Sequence, residues 1–330
     1  MSDSPLADLP VAVTGSTGFI GGALARRLLA DGARVRALGR GLERAADLAE
    51  QGADLVHFDL LDPGTFAEAV AGAKVFFHVA AWLDGGQSDE AKAKAINIDA
   101  TRTLAEAAAA AGVERFVLVS TVAAYGLPAR DRVTEDLPLD LEQDNTYGRT
   151  KAKGEVALRE VAQATGLDIA ICRPGMVYGP GSKSWTGLML KLVKRGIPAV
   201  FGRGDGNAFP VYIDNMVDGL VAAGTAPGAS GEAFHFVDEP VSWARFLRYY
   251  GDMCGRAPRR VPLWVAKGIA TAAELLPLGL PLDRERIALV QRPFVFDRTK
   301  TERLLGWTPQ VGLDEGMARS EAWLREVGRL

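Results

Sequence analysis

The sequence is poor in the groups that build disulfides and metal sites. Cys172 and Cys254 are its only two cysteines in 330 residues. They are too few for a disulfide framework and too far apart for a Cys-x-x-Cys pair. The three histidines, His57, His78 and His235, lack metal-ligand spacing, so no zinc site is expected. Neither sign of charge dominates: 38 basic and 41 acidic residues leave a formal net charge of −3. That excludes a bulk nucleic-acid footprint, though not a local basic pocket. Long apolar runs are missing too. The most apolar late stretch, residues 261–282, is broken by Lys267, Glu274 and three prolines, which is too interrupted to span a bilayer. The N-terminus is acidic and too polar for a signal peptide. A soluble protein in a reducing, cytoplasmic setting is expected.

What is present is ordinary globular composition, 48% hydrophobic and 24% charged, in a chain long enough for two domains or one large α/β domain with an appendage. Short apolar runs at residues 9–13, 34–38, 55–58, 74–80, 116–120 and 168–172 read as strands. Helical patterns at residues 22–30, 42–51, 65–71, 90–111 and 147–165 alternate with them. This alternation predicts an α/β fold with a doubly wound parallel sheet, covered on both faces. After Pro174 glycine and proline become frequent, as suits a substrate-binding appendage. The alanine run at residues 107–111 suggests a closely packed helix, and a homodimer interface is one use for it.

The segment Thr14-Gly15-Ser16-Thr17-Gly18-Phe19-Ile20-Gly21 joins the first strand to the first helix. Its glycines are spaced GxxGxxG. A chain this rich in glycine gives roughly 0.5 such matches by chance, so position matters more than spacing. Here the position is right. Free N–H groups and the helix dipole attract a pyrophosphate, and glycine lets the backbone approach it. Gly15, Thr17, Gly18, Phe19 and Ile20 are the candidate contacts; a tight turn without a ligand is the plain alternative. At the end of the second strand an acid would bind the ribose hydroxyls of NAD. The chain has Gly39-Arg40 there, with Arg44 one turn on. Arginine suits a 2′-phosphate, which favours NADP (NADPH) over NAD, unless Arg40 is a solvated charge. Asp59-Leu60 offers a carboxylate to the adenine amino group, or Asp59 merely caps a turn. The small Ala80 and Ala81 fit a dinucleotide crossing the strand ends, while the preceding His78 reads as a satisfied histidine near the core.

Tyr147-Gly148-Arg149-Thr150-Lys151 places Tyr147 and Lys151 at i and i+4 on one helix face. Roughly 0.2 such pairs are expected by chance. The chemistry is coherent: a neighbouring ammonium favours the phenolate, and the phenol then exchanges a proton with a substrate oxygen. Ser120-Thr121 offers a hydroxyl to the same oxygen. Asn97 either fixes a turn or a water linking Lys151 to solvent, or is a polar residue inside a helix.

These segments together resemble the extended short-chain dehydrogenase/reductase family, also called the NAD-dependent epimerase/dehydratase family. The resemblance is carried by TGSTGFIGG at residues 14–22, STVAAYG at 120–126, YGRTK at 147–151, RPGMVYGPG at 173–181, VYIDNMVDGL at 211–220 and RTKTERLLGWTPQVGLDEGM at 298–317. It implies a Rossmann-like NAD(P)-binding domain over residues 1–175. Residues 176–330 are then mainly a smaller, intertwined substrate domain, with some segments returning to the first. It assigns Thr121, Tyr147 and Lys151 as the catalytic set, with Lys151 also holding the nicotinamide ribose. It places residues 174–177, including Pro174 and Val177, near the nicotinamide.

Within that family, dehydratases commonly carry Asp-Glu after the catalytic threonine; Val122-Ala123 stands here and has no acid or base to offer. Ala208-Phe209-Pro210 occupies a place where nucleotide-sugar enzymes often have a basic or polar residue. What remains is similar to the 3β-hydroxysteroid dehydrogenase and dihydroflavonol reductase branch. The expected function is an NADP-dependent oxidoreductase acting on the carbonyl or secondary alcohol of a rather apolar small molecule. Trp82, Trp185, Phe201, Phe209, Trp243 and Trp264 are candidates to line its pocket, or belong to the core, and residues 261–282 suggest an apolar lid. A nucleotide-sugar epimerase is the alternative, with Lys183, Lys191, Lys194, Arg195 and Arg203 available to a diphosphate. A non-catalytic NADP-binding sensor or scaffold is the third reading, opposed by the intact Tyr147/Lys151 pair.

Overall fold

Apolar runs too short for helices lie side by side in one parallel sheet. A computed structural model describes residues 6–83, 89–197, 200–275 and 284–330. From one edge to the other its main sheet runs Asp54–His57, Arg34–Gly39, Pro10–Thr14, Val75–His78, Arg115–Val119, Ile169–Pro174 and Ala233–Phe236. Every pairing is parallel. Moving outward from Pro10–Thr14, the chain order ascends in both directions, so a crevice opens beside that strand at the carboxyl edge.

Alternation along the strands divides the core. Val11, Val13, Val35, Val117 and Val119 face one side, against Leu24 and Leu28 of the first helix (Phe19–Ala30) and Leu220 of the helix Ile213–Thr225. Ala12, Leu38, Phe76, Phe116 and Leu118 face the other, against Leu104 of the helix Ala100–Ala110 and Leu158 of the helix Thr146–Thr165. Strands buried on both faces need both residue sets apolar, which is why they read as continuous apolar runs.

Three elements differ from the sequence reading. The helix expected over residues 42–51 is a 3-10 turn, Leu42–Ala45, followed by one short helix, Ala46–Glu50. The long helix expected over residues 90–111 is divided into Glu90–Lys94 and Ala100–Ala110 by a π-helical turn, Ala95–Asp99. The strand Ala233–Phe236 was not among the elements read, and it brings the second half of the chain back into the sheet. In the alanine run, Ala108 is buried in this chain's own core, while Ala110 and Ala111 are exposed. The helix Leu263–Leu275 turns Ala266 and Ala270 inward and leaves Trp264 78% exposed. The rest of the expected lid, residues 276–282, lies outside the described residues. Among the described residues, no helix is long and apolar enough to cross a membrane.

Candidate active site

The glycine turn is shaped by close approach. Gly15 has φ +70°, and a Cβ there would press on the Ala80 backbone at 3.2 Å. A Cβ on Gly21 would stand 2.4 Å from the Gly15 carbonyl oxygen. The turn is therefore closed to side chains at both positions. The first helix begins with no side-chain cap and no acid in its first turn, so its positive end is left to an anion. Thr17 packs on Gly39 at the end of the second strand, and Phe19 lies against Gly181. Thr14, at the mouth of the crevice, accepts from the Val79 and Ala80 N–H groups at 2.9 and 3.0 Å. With its lone pairs used in this way, its own hydrogen goes to His78 Nδ1 at 3.0 Å. His78 Nε2 then donates to Thr101, which itself donates to the Asn97 carbonyl. Burial, then Lys151, holds His78 down at about 3. His78 is thus a neutral structural residue that ties the turn to the fourth strand.

Just past the second strand, Arg40 is exposed and stands 3.8 Å from Asp59. One Asp59 oxygen accepts from the Leu61 N–H, and Leu60 packs beneath. Arg44 is exposed on the following turn. Those four residues therefore share one corner of the carboxyl edge, with both cations facing solvent.

Deeper in the crevice, the helix Thr146–Thr165 is capped by Asn145, whose side chain accepts from the Gly148 N–H. The cap fixes where Tyr147 leaves the helix. Thr121 follows the strand Arg115–Val119; its hydroxyl accepts from the Ala123 N–H at 3.1 Å and lies near enough to the Tyr147 phenol to act on it. Lys151 is 2% exposed, and its Nζ donates to the Val119 carbonyl at 2.7 Å. Asn97 binds both polar groups of the Trp82 backbone and donates to Thr150 at 3.0 Å. Its own carbonyl lies so near the tyrosine helix that a Cβ on Gly154 would stand 2.3 Å away. This explains the π-helical turn: tertiary hydrogen bonds pull Asn97 out of α-helical register. These bonds support the reading in which Asn97 fixes a turn. Pro174 and Val177 are buried at the end of the sixth strand and just past it.

One expectation about protons is corrected. The ammonium of Lys151 is engaged by Val119, and it does not bring the phenol down. Burial pushes Tyr147 up to about 12, and the Thr121 hydroxyl opposes the rise. Burial also lowers Lys151, to about 8, with Glu155 opposing.

The aromatic candidates separate. Trp82 is buried with Ala93 and Ile96 directly beside Tyr147. Phe209 joins Phe294 and Phe296 in a ring cluster that includes Val122, the residue after Thr121. Trp185 and Trp243 pack on each other in the main core. Phe201 belongs to a separate small cluster with Ala266 and Ala270. Trp264, being exposed, is removed from the list. Lys194 donates to the Arg329 carbonyl and Arg203 pairs with Asp205, while Lys183, Lys191 and Arg195 are exposed.

The family model described as "NAD dependent epimerase/dehydratase family" matches residues 11–236. The chain belongs to the NAD-dependent epimerase/dehydratase family. A UDP-glucose 4-epimerase of Mycolicibacterium smegmatis is 31% identical over 95% of this chain and 97% of its own. A putative dihydroflavonol 4-reductase of Synechocystis sp. is 30% identical over 96% and 94%. The dTDP-glucose 4,6-dehydratase DesIV of Streptomyces venezuelae, solved as a double mutant with NAD and DAU bound, superposes with a TM-score of 0.79 at 26% identity, over 96% of this chain and 97% of its own.

For a member of the epimerase/dehydratase family, two features escaped the sequence reading. Gly21 was part of the quoted turn but not of the contact set; the i+6 glycine spacing was its signal. The buried pair Glu155–Arg173 was not read at all. Its available signals were Glu155, four residues past Lys151, and the arginine opening the RPGMVYGPG segment.

Proposed function

We propose that this chain is an NADP-dependent oxidoreductase exchanging a hydride with the carbonyl or secondary-alcohol carbon of a rather apolar small molecule. The observation that carries the reading is the Thr121–Tyr147 hydroxyl pair at the carboxyl edge of the sheet, with Lys151 one helical turn away. Gly15, Thr17, Gly18, Phe19 and Ile20 would hold the pyrophosphate at the uncapped helix. Arg40 and Arg44 would meet the 2′-phosphate, Asp59 and Leu60 the adenine. Ala80 and Ala81 leave room across the strand ends, and Lys151, Pro174 and Val177 would hold the nicotinamide end. When bound, the coenzyme supplies or accepts the hydride. Tyr147 gives its proton to the substrate oxygen in reduction and takes it back in oxidation, while Thr121 orients that oxygen.

The apolar substrate class rests on the Phe209, Phe294, Phe296 and Val122 cluster and on the absence of acid or base at Val122-Ala123. Residues 176–330 would supply most substrate contacts, and a homodimer is expected. The epimerase relative keeps a nucleotide-sugar epimerase as the second reading. The test is a panel of apolar ketones with NADPH, run beside UDP- and dTDP-sugars. Steady NADPH consumption with a ketone and no sugar isomerisation supports the proposal, and it also disposes of a non-catalytic sensor. Isomerised sugar without net coenzyme change would replace it with the epimerase reading.

A further inference from the structure

Glu155 lies one helical turn past Lys151 and is fully buried. Both its oxygens are held. The Ser120 hydroxyl donates to one; Arg173 Nε reaches both at 3.1 Å, and its Nη2 reaches the second at 2.6 Å. Arg173 Nη1 continues to the Tyr125 hydroxyl and to the Glu135 carbonyl. Tyr125 meets His235 at 2.8 Å, and His235 Nδ1 meets the Asp297 carbonyl at 2.7 Å. A run of polar contacts thus fixes one carboxylate from several elements at once. Buried ion pairs of this kind are often replaceable by apolar side chains without loss of stability, so stability alone does not explain it.

The neighbour of this carboxylate that matters is Lys151. Its own helix presents Tyr147 and Glu155 to it. The fourth strand presents His78, which is neutral. The fifth presents the Val119 carbonyl and Ser120. The sixth carries Cys172, kept as a thiol by burial and by Glu155, and Arg173, which is taken up by Glu155. The π-helical turn carries Asn97, which is uncharged. Among the described residues, Glu155 is the one negative charge acting on the ammonium.

We propose that Glu155 is a positioning residue whose fixed carboxylate keeps the buried Lys151 ammonium charged, with Ser120 and Arg173 as the clamp that holds it in place. The inference rests on the catalytic reading of Lys151, but its test does not need turnover. Protein labelled with 13C in lysine, free of coenzyme, is titrated by NMR, with Lys151 assigned from the signal lost in Lys151→Met. In the native protein Lys151 is expected to titrate near pH 8. In Glu155→Gln its titration moves down by about one to two pH units, the size expected for one charge a helical turn away in a partly screened interior. At pH 7.5 a drop of about 1.5 units leaves roughly eightfold less ammonium. Glu155→Gln/Arg173→Met removes both charges and leaves none unpaired; a smaller downward shift is expected, because loss of the nearby guanidinium returns part of what loss of the carboxylate removes. It carries the test where the single variant does not fold. The alkaline limb of NADPH-dependent turnover should move with the titration. An unchanged Lys151 titration in a folded variant overturns the inference. A shifted titration with an unmoved turnover profile upholds it and instead removes Lys151 from the catalytic set.

Discussion

Gly21→Ala tests whether the first turn is a ligand cradle. The added methyl would stand 2.4 Å from the Gly15 oxygen and 2.6 Å from its carbonyl carbon. Both are backbone atoms, so the turn itself must shift by several tenths of an ångström. Overpacking of this kind costs about 1–3 kcal/mol, which lowers Tm by about 1–4 °C in a chain of this size. The movement also re-aims N–H groups that would meet a charged phosphate. Losing one such bond is worth about 1.5–3 kcal/mol, or about 10- to 100-fold in NADPH affinity. Isothermal titration with NADPH and thermal unfolding read the two effects separately. Gly268→Ala is the control: nothing lies within 4 Å of its would-be Cβ in the helix Leu263–Leu275, so it should gain up to about 1 kcal/mol in stability and leave coenzyme affinity alone. If Gly21→Ala binds NADPH as the native protein does, the turn does not hold the pyrophosphate.

Other expectations follow from particular contacts. Arg40→Asp should weaken NADPH by about 10- to 100-fold and NADH far less, measured by fluorescence titration of both; equal weakening means Arg40 meets no phosphate. Trp264→Ala should change stability by less than about 0.5 kcal/mol, since the ring is exposed; a larger loss in urea unfolding means the ring has a partner. For acid stability, His78 stays neutral when folded, near 3, and takes a proton at its ordinary 6.5 once unfolded. Acid therefore favours the unfolded chain. Its contribution is intact above pH 6.5 and is lost as pH falls toward 3. Between pH 7.5 and 5.5 the native protein should lose about 1.4 kcal/mol more than His78→Gln; identical pH dependence in urea unfolding would contradict this.

The sheet was legible because its strands are buried on both faces and so are apolar without interruption. The strand Ala233–Phe236 was not, because His235 interrupts it and is satisfied only by Tyr125 and Asp297, remote in sequence. The π-helical turn at Asn97 was hidden for the same reason: its cause is a hydrogen bond to Trp82, 15 residues away in sequence, not local propensity. At the site, residue types and spacings pointed to Thr121, Tyr147 and Lys151. The direction of the Tyr147 shift did not follow from them, because spacing says nothing of burial or of where the Lys151 ammonium is engaged. Trp264 shows the converse: an aromatic in an apolar stretch reads as lining, and only packing reveals that it faces water.

The central claim is that the Tyr147 hydroxyl moves the proton that accompanies hydride exchange. Tyr147→Phe keeps the ring against Trp82 and Ile96 and removes only that oxygen. Measured with the best ketone of the panel, its turnover should fall by about 100- to 10,000-fold while NADPH binds as before; turnover at the native rate would contradict the account.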